Sequence, residues 1–216
     1  QGLLACAKYV YDPHSNRVRP MLADGTDLTG YVIKRDGYYG KAGTVFRARQ
    51  ASPLLLWSFA RAHRLTGDET LWQTARSIAR GHALGDLGSA PGKDVQVNLK
   101  TDNADPVALL AVLEVWSTVD SPAYSDLARR IGDNILRRRF FKGFFLPGPD
   151  YVNAKFDSPE PLALLALDAM LRGTPQAVPR YVGGQGYIHG PHDGLGRTYD
   201  SRAIWSQKRN QLKAPP

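Results

Sequence analysis

Helix starts are the feature that most constrains how this chain can fold. Serine and aspartate side chains can accept hydrogen bonds from the free amides of a first helical turn. Proline fits the first helical position, because an amide hydrogen is not needed there. An apolar run follows each such start in this chain, so we predict a helix after each one. The starts are Ser52-Pro53, Asp105-Pro106, Ser121-Pro122 and Asp157-Ser158-Pro159.

The predicted helices come in consecutive pairs. Helix 53–66 is followed by helix 69–84, which Asp68 caps, and helix 106–119 is followed by helix 122–139. The links within each pair are short, which indicates antiparallel neighbours. A fifth helix begins near Glu160 and ends at Gly173.

Other segments have weaker signals. Gly2–Tyr11 is predicted to be helical up to Asp12-Pro13, and the alternating Val95–Leu99 segment predicts a short strand or extended chain. Phe140–Phe156 is predicted to be an aromatic, glycine-rich loop. One short helix is predicted near Ser201–Lys208.

Stacked helical hairpins favour an all-α protein, either an open α-solenoid or a closed (α/α) toroid. No fixed repeat period is present, and the long aromatic loops between helices favour the toroid. Roughly six helices are about half of what a barrel needs, and half a barrel would expose apolar helix faces. We therefore expect an incomplete (α/α) barrel with long inter-helix loops, whose remainder lies upstream or in another chain. The start at Gln1 fits this expectation, and any targeting segment would then lie upstream.

Net charge limits the kinds of partner that this chain can bind, and cysteine content limits the disulfides and metal clusters that it can form. The net charge of +8 and the pI of about 9.7 favour an anionic partner, whether nucleic acid, polysaccharide or lipid. Cys6 is the only cysteine, which excludes an intrachain disulfide and a cysteine metal cluster. A chain without disulfides can be cytoplasmic or periplasmic. No apolar run approaches the length of a membrane span, so no membrane partner is expected.

The stretch Tyr31–Gly43 is the strongest candidate for a functional site. Its glycines, which recur at every third position, argue against a helix and favour a loop or short hairpin. Cations there can bind anions, and tyrosine rings can stack on the face of a sugar. The alternative is a solvated basic loop with two half-buried tyrosines. The side chains concerned are Lys34, Arg35, Lys41, Tyr38 and Tyr39.

Four sequence segments together resemble a known family. They are DGTDLTGYVIKRDGYYGKAGT, LTGDETLWQTARSIARGHALGDLG, IGDNIL and DSPEPLALLALDAM. In this order and spacing, from about Met21 to Trp205, they are similar to the C-terminal half of the family 2 polysaccharide lyases, bacterial pectate lyases with an α/α barrel. The resemblance implies that residues 1–216 are the C-terminal portion of a single α/α-barrel catalytic domain, completed by an N-terminal half.

The resemblance also implies an activity. Such enzymes cleave polygalacturonate by β-elimination, usually releasing unsaturated disaccharides, with a divalent transition metal such as manganese. The metal ligands and the arginine base of the family have no counterpart here, so both are expected outside this chain. From the family pattern, Arg35 is assigned as the catalytic residue that faces the substrate carboxylate. Weaker assignments to the substrate cleft are Lys34, Tyr38, Tyr39 and Lys41.

Two alternatives for the function stay open at this point. A glycoside hydrolase acting on unsaturated oligouronides would use two carboxylates, but no spacing selects a pair from Glu160, Asp168, Asp86 and Asp102. A non-catalytic helical module for anionic partners would use cations such as Arg137–Arg139. That run is better explained by the helix dipole, and no nucleic-acid motif accompanies it. The segment YIHGPHDG, with His189, His192 and Asp193, is a weak metal-site candidate.

Overall fold

The computed structural model describes residues 1–38, 40–146 and 158–178. Six α-helices carry the fold within these ranges, and short strands lie in the connections between them. The helices are α1 (Gly2–Ala5), α2 (Pro53–Thr66), α3 (Glu69–Gly81), α4 (Pro106–Trp116), α5 (Pro122–Arg139) and α6 (Glu160–Leu171). A π-helical turn, Cys6–Val10, follows α1, and a 3₁₀ turn, Pro175–Ala177, follows α6.

The strands are two residues long and form three small antiparallel sheets. Strand β2 pairs with both β1 and β3, while β4 pairs with β5 and β6 pairs with β7. The strands are β1 (Tyr11–Asp12), β2 (Arg17–Val18), β3 (Arg49–Gln50), β4 (Gly85–Asp86), β5 (Gln96–Val97), β6 (Phe140–Phe141) and β7 (Phe144–Phe145). Strand β5 confirms the extended segment predicted around it.

Helix starts follow the predicted capping pattern at most positions. The Ser52 hydroxyl accepts a hydrogen bond from the Leu55 amide at 3.3 Å, and Asp105 Oδ1 accepts from the Val107 amide at 2.8 Å. Ser121 precedes α5 but makes no capping hydrogen bond. At α6 the capping position is Pro159, so the predicted serine cap is wrong.

Two helices were predicted to extend too far at their C-terminal ends. Helix α3 ends at Gly81 rather than residue 84, because Ala83 adopts a positive φ of 59° and turns the chain towards β4. Helix α4 ends at Trp116 rather than residue 119. There the hydroxyls of Ser117 and Thr118 both donate to the Glu114 carbonyl. Such local hydrogen bonds compete with the backbone hydrogen bonds that would extend the helix.

Helix α4 is the centre of the described core. It packs against α2, α5 and α6, while α3 packs against α2 and α5 also packs against α6. Leu109 and Ala111 on α4 are fully buried, as are Phe59 of α2 and Ile131 of α5. Helices supply nearly all of this core. The all-α class with an incomplete (α/α) barrel stays a prediction.

The long connections start from one end of these helices, which we call the loop end: residues 12–50, 82–104 and 140–146. Within the second of these, residues 87–92 reach back to Trp72 and Tyr124 near the opposite end. Hydrogen bonds tie its parts together. His82 Nε2 lies 2.6 Å from the Ala51 carbonyl oxygen, and Asn103 Nδ2 donates to the His82 carbonyl. Asn134 of α5 donates to the Asn103 carbonyl at 2.9 Å. The segment before α2 and the segment after α5 are therefore held at the same end of the fold.

No helix in the described ranges has both the length and the apolar character needed to cross a membrane.

Candidate functional site

The basic stretch folds as a short hairpin at the loop end, as one of the two predicted forms. The Ile33 amide donates to the Thr44 carbonyl and the Phe46 amide donates to the Tyr31 carbonyl, each at 2.9 Å. Val32 lies opposite Val45 between these two bonds. We call residues 31–46 the basic hairpin. Its backbone is held by its own hydrogen bonds rather than by burial, since no described residue from 12 to 50 is buried.

Glycine and one carboxylate shape the tip of the basic hairpin. Gly37 and Gly40 exchange two backbone hydrogen bonds, of 3.0 and 3.1 Å. Gly40 has a φ of 149°, and a Cβ there would lie 3.1 Å from Ile33 Cδ1, so a larger residue would be strained. Asp36 Oδ1 accepts a hydrogen bond from the Ala42 amide at 2.8 Å. The acid at the tip therefore stabilises the turn.

An open groove of ≈ 460 Å³ runs along one face of the basic hairpin. Tyr31, Ile33 and Phe46 form its apolar part, and the ring centroids of Tyr31 and Phe46 are 6.0 Å apart. Lys34 and Arg35 also line the groove. A groove with aromatic faces beside two cations has the chemistry to bind an anionic sugar such as a uronate, whose ring has an apolar C–H face.

The predicted site residues divide into three groups. Lys34, Arg35 and Tyr38 line the groove together. Lys41 is exposed on the same hairpin but is not among the groove-lining residues. Tyr39 lies outside the described residues, so its predicted role stays a prediction.

The cations of the basic hairpin are available to a ligand. Lys34, Arg35 and Lys41 are exposed, and within the described part of the chain none of them forms an ion pair. Among the described residues, Asp36 is the one acid that lines the groove, and it accepts a hydrogen bond from the Ala42 amide. The groove therefore keeps an excess of positive charge.

Carboxylates elsewhere at the loop end are occupied by arginines. Asp86 on β4 accepts from Arg76 at 2.5 and 2.8 Å, and it also binds Arg80 and the Gly88 amide. Hydrogen bonding from Arg76, together with these other donors, holds the pKa of Asp86 well below its usual range. A carboxyl with a lowered pKa cannot serve as a general acid at neutral pH. Asp86 instead fastens β4 to α3.

Replacing Asp86 with asparagine should make the free energy of unfolding less sensitive to acidic pH. The folded-state pKa of Asp86 lies below its unfolded value, so its contribution is complete above about pH 4 and is lost as pH falls towards the folded value. We expect wild type to be more stable than D86N at neutral pH, and the difference to shrink below about pH 4. Urea unfolding at several pH values measures this. A gap that stays constant down to acidic pH would contradict the assigned ion pair.

The other candidate carboxylates do not form a glycosidase pair. Buried Glu160 binds Arg139 at 2.6 Å and accepts from the Ser158 hydroxyl. Asp168 pairs with Arg172, and Asp102 pairs with Arg138 at 2.6 Å. Each acid has its own arginine and a structural role, so the described residues offer no observation in favour of a glycoside hydrolase.

The arginine run at the end of α5 is also engaged. Arg137 donates to Asn134 Oδ1, Arg138 pairs with Asp102, and Arg139 pairs with Glu160. These contacts support a structural role for the run over a nucleic-acid patch.

The histidines within the helical region have structural contacts. His63 Nδ1 lies 2.9 Å from the Asp68 carbonyl oxygen, and its ring packs on Trp72 with centroids 5.3 Å apart. His82 contacts the Ala51 carbonyl at the base of the segment that carries the basic hairpin. Both histidines therefore make structural contacts.

The described residues do not fit a transition-metal site. Within residues 1–38, 40–146 and 158–178, no three histidine, cysteine or acidic side chains come together to hold an ion. The segment with His189, His192 and Asp193 lies outside the described residues. A metal requirement therefore stays a prediction, and no chemical step below passes through a metal.

The helical fold carries a groove lined by aromatic rings and cations. Comparisons with known proteins identify the family of this chain. A family model described as periplasmic pectate lyase matches residues 1–191. The chain belongs to this periplasmic pectate lyase family. It is also 31% identical, over 210 residues, to a pectate disaccharide-lyase of Dickeya dadantii (strain 3937). That match covers 96% of this chain but 36% of the relative.

Sequence reasoning missed the apolar part of the groove. Tyr31, Ile33 and Phe46 were not assigned a role, although Tyr31 and Ile33 alternate as neighbours on one strand face do. The sequence does not show how the two strands of the hairpin are paired. That pairing places Phe46 beside Tyr31 on one face of the hairpin instead of on the opposite face.

Proposed function

We propose that the protein containing this chain is a bacterial periplasmic pectate lyase, which cleaves polygalacturonate by β-elimination and releases unsaturated oligogalacturonides, mainly the disaccharide. The observation that carries this proposal is the pair Lys34 and Arg35 beside the Tyr31 and Phe46 rings, in a chain of the pectate lyase family. The name of the Dickeya dadantii relative, a pectate disaccharide-lyase, supports the disaccharide as the main product.

The groove binds a galacturonate residue in two ways. The aromatic faces of Tyr31 and Phe46 contact the apolar face of the sugar ring. The Arg35 guanidinium can form two parallel hydrogen bonds with the C6 carboxylate, and Lys34 adds a second positive charge nearby. The sugar is thereby oriented with its carboxylate on the cations.

Arg35 acts on the charge that develops during elimination. A base removes the proton from C5, the C5–H electron pair forms the C4–C5 double bond, and the C4–O4 bond breaks. The oxygen leaves on the neighbouring sugar and takes up a proton. Negative charge moves onto the carboxylate as the C5 proton departs, and a fixed guanidinium stabilises that charge. We assign the base and the proposed metal ligands to parts of the protein outside this chain.

The rest of the barrel is the proposed partner of the helices described here. Helix α6 is apolar around most of its circumference, as in Leu162, Leu164 and Leu165, yet Leu165 is 48% exposed and Leu171 is 37% exposed. Helices that are apolar on all sides are normally covered. This chain accounts for 36% of the length of its Dickeya relative, which leaves chain enough to cover α6. We infer that an N-terminal half completes an α/α barrel over this face.

The family description supports a periplasmic location and not the cytoplasmic alternative.

The ultraviolet absorbance of the product tests the proposed reaction. Full-length protein incubated with polygalacturonate should raise the absorbance of the conjugated C4–C5 double bond. Fully methyl-esterified pectin should be a poor substrate, because it offers Arg35 no carboxylate. A glycoside hydrolase would instead consume the absorbance of unsaturated oligouronides, and a binding module would change neither signal. Either of these results would overturn the proposal.

Replacing Tyr31 with alanine should weaken substrate binding severalfold, seen as a raised KM for polygalacturonate, because the groove loses the aromatic face that lies beside Phe46. Val32→Ala is a matched control. Its side chain is exposed to a similar extent, 48% against 45% for Tyr31, but it lies on the reverse face of the strand. Steady-state kinetics measure both variants. Equal effects of Y31A and V32A would remove Tyr31 from the binding site.

A further inference from the structure

A second aromatic hairpin lies at the loop end, directly after α5. Strands β6 and β7 pair with Phe140 opposite Phe145 and Phe141 opposite Phe144. Lys142 and Gly143 form the two-residue turn, with φ values of 49° and 87°. Two positive φ values in succession are typical of the type I′ turn that joins closely paired strands. The four phenylalanines are therefore held in a fixed register.

The inner side of this aromatic hairpin is anchored. Phe145 packs against the core, and its ring centroid is 5.2 Å from that of Phe140. The Leu146 amide donates to the Arg139 carbonyl at 2.8 Å, and Leu146 is buried. Arg139 in turn binds Glu160 at the start of α6. The hairpin is thus fastened to two helices at its base.

The outer face of the aromatic hairpin is exposed and carries a cation. Phe144 is 62% exposed, a large value for an apolar ring in a paired strand. It lies opposite Phe141, whose ring has the Lys142 ammonium at 5.5 Å from its centroid. The Phe144 ring is therefore accessible, and the Lys142 ammonium lies over the ring of its cross-strand neighbour, Phe141. This is the same combination, on a smaller scale, as the groove of the basic hairpin.

Both hairpins lie at the loop end. The basic hairpin joins α2 through Ala51, which contacts His82, and Asn103 continues that contact to Asn134 of α5. The aromatic hairpin begins directly after the last residue of α5. Both hairpins therefore belong to connections that start from the same end of the helices.

We propose that Phe144 and Lys142 form a second subsite for a uronate residue of the polymer, away from the cleavage position, with the sugar face on the Phe144 ring and its carboxylate on the Lys142 ammonium. This inference rests on the proposed function, since it assigns the same substrate class to a second place. A sugar fits better than a protein partner, because strands of two residues offer far less area than a stable protein interface needs.

Chain-length dependence of the rate tests the second subsite. The full-length wild type and Phe144→Ala are compared on oligogalacturonates of increasing length and on polygalacturonate, by product absorbance. We expect kcat/KM of F144A on the polymer to fall about tenfold relative to its value on the trimer, because only longer chains reach both hairpins. Phe144→Trp should restore the wild-type ratio, since it keeps an aromatic face. Lys142→Ala should lower the ratio in the same direction.

The control is Leu65→Ala, an apolar residue 68% exposed near the C-terminal end of α2, which should leave the polymer-to-trimer ratio unchanged. A polymer-to-trimer ratio for F144A equal to wild type overturns the subsite, and so does an equal loss at every length. Binding to anionic vesicles that F144A abolishes, with no change in the ratio, would assign the hairpin to a membrane surface instead. A wild-type protein that releases no unsaturated product refutes the proposed function itself.

Discussion

Replacing Arg35 with alanine is expected to lower kcat/KM on polygalacturonate by about a hundredfold to a thousandfold, the loss typical of removing one preorganised donor to a developing oxyanion. Arg35 lines the groove beside the Tyr31 and Phe46 rings and has no ion pair within the described ranges, so its charge is available to the substrate. Arg35→Lys should recover part of the rate, because lysine keeps the charge but loses the planar fork. The initial rate of product absorbance measures both variants.

The matched control for R35A is Arg61→Ala. Arg61 is another exposed arginine, on α2, for which the described residues provide no ion pair. R61A should leave both the rate and the thermal stability unchanged. An R35A enzyme with wild-type kcat/KM would exclude Arg35 from the reaction. A loss that tracks a drop in melting temperature would show a structural role instead.

Removing the Glu160 carboxylate is expected to give a large loss of stability, roughly 3 kcal/mol in the free energy of unfolding. Its side chain is 4% exposed and binds Arg139, which is 26% exposed, at 2.6 Å. Glu160→Ala leaves the guanidinium partly buried without its partner, and that uncompensated charge is the source of the cost. Urea unfolding of the full-length protein, followed by tryptophan fluorescence, measures the change.

Asp168→Ala is the matched control on the same helix. Asp168 pairs with Arg172 at 2.9 Å, but the two side chains are 53% and 73% exposed, and such pairs contribute less than about 1 kcal/mol. The two alanine variants remove the same kind of charge from α6 and differ chiefly in burial. Similar losses in E160A and D168A would contradict the buried anchor.

The sequence predicted features that depend on local chemistry. Helix α2 begins after Ser52 and ends at Thr66 as expected, because the cap, the proline and Gly67 act within a few residues of the helix ends. The glycines of Tyr31–Gly43 predicted a loop or a short hairpin for the same reason, and the structure has the hairpin. Local signals were less reliable where side chains compete with the helix, as at Ser117.

Features that depend on distant residues could not be predicted. Glu160 and Asp86 look like free acids in the sequence, and their arginine partners come from other elements of the structure. The groove needed the strand register that brings Phe46 to Tyr31. The family assignment was correct because it rested on several segments in order, whereas the closed barrel depends on contacts with parts of the protein beyond this chain.

A crystal structure of the full-length protein with saturated digalacturonate tests the central claim most directly. The ligand is the size of the proposed product, so it should stay intact in the crystal. The account predicts a sugar ring on Tyr31 and Phe46, with its carboxylate within hydrogen-bonding distance of the Arg35 guanidinium. A digalacturonate bound elsewhere in the protein, with the basic hairpin free of ligand, would contradict it.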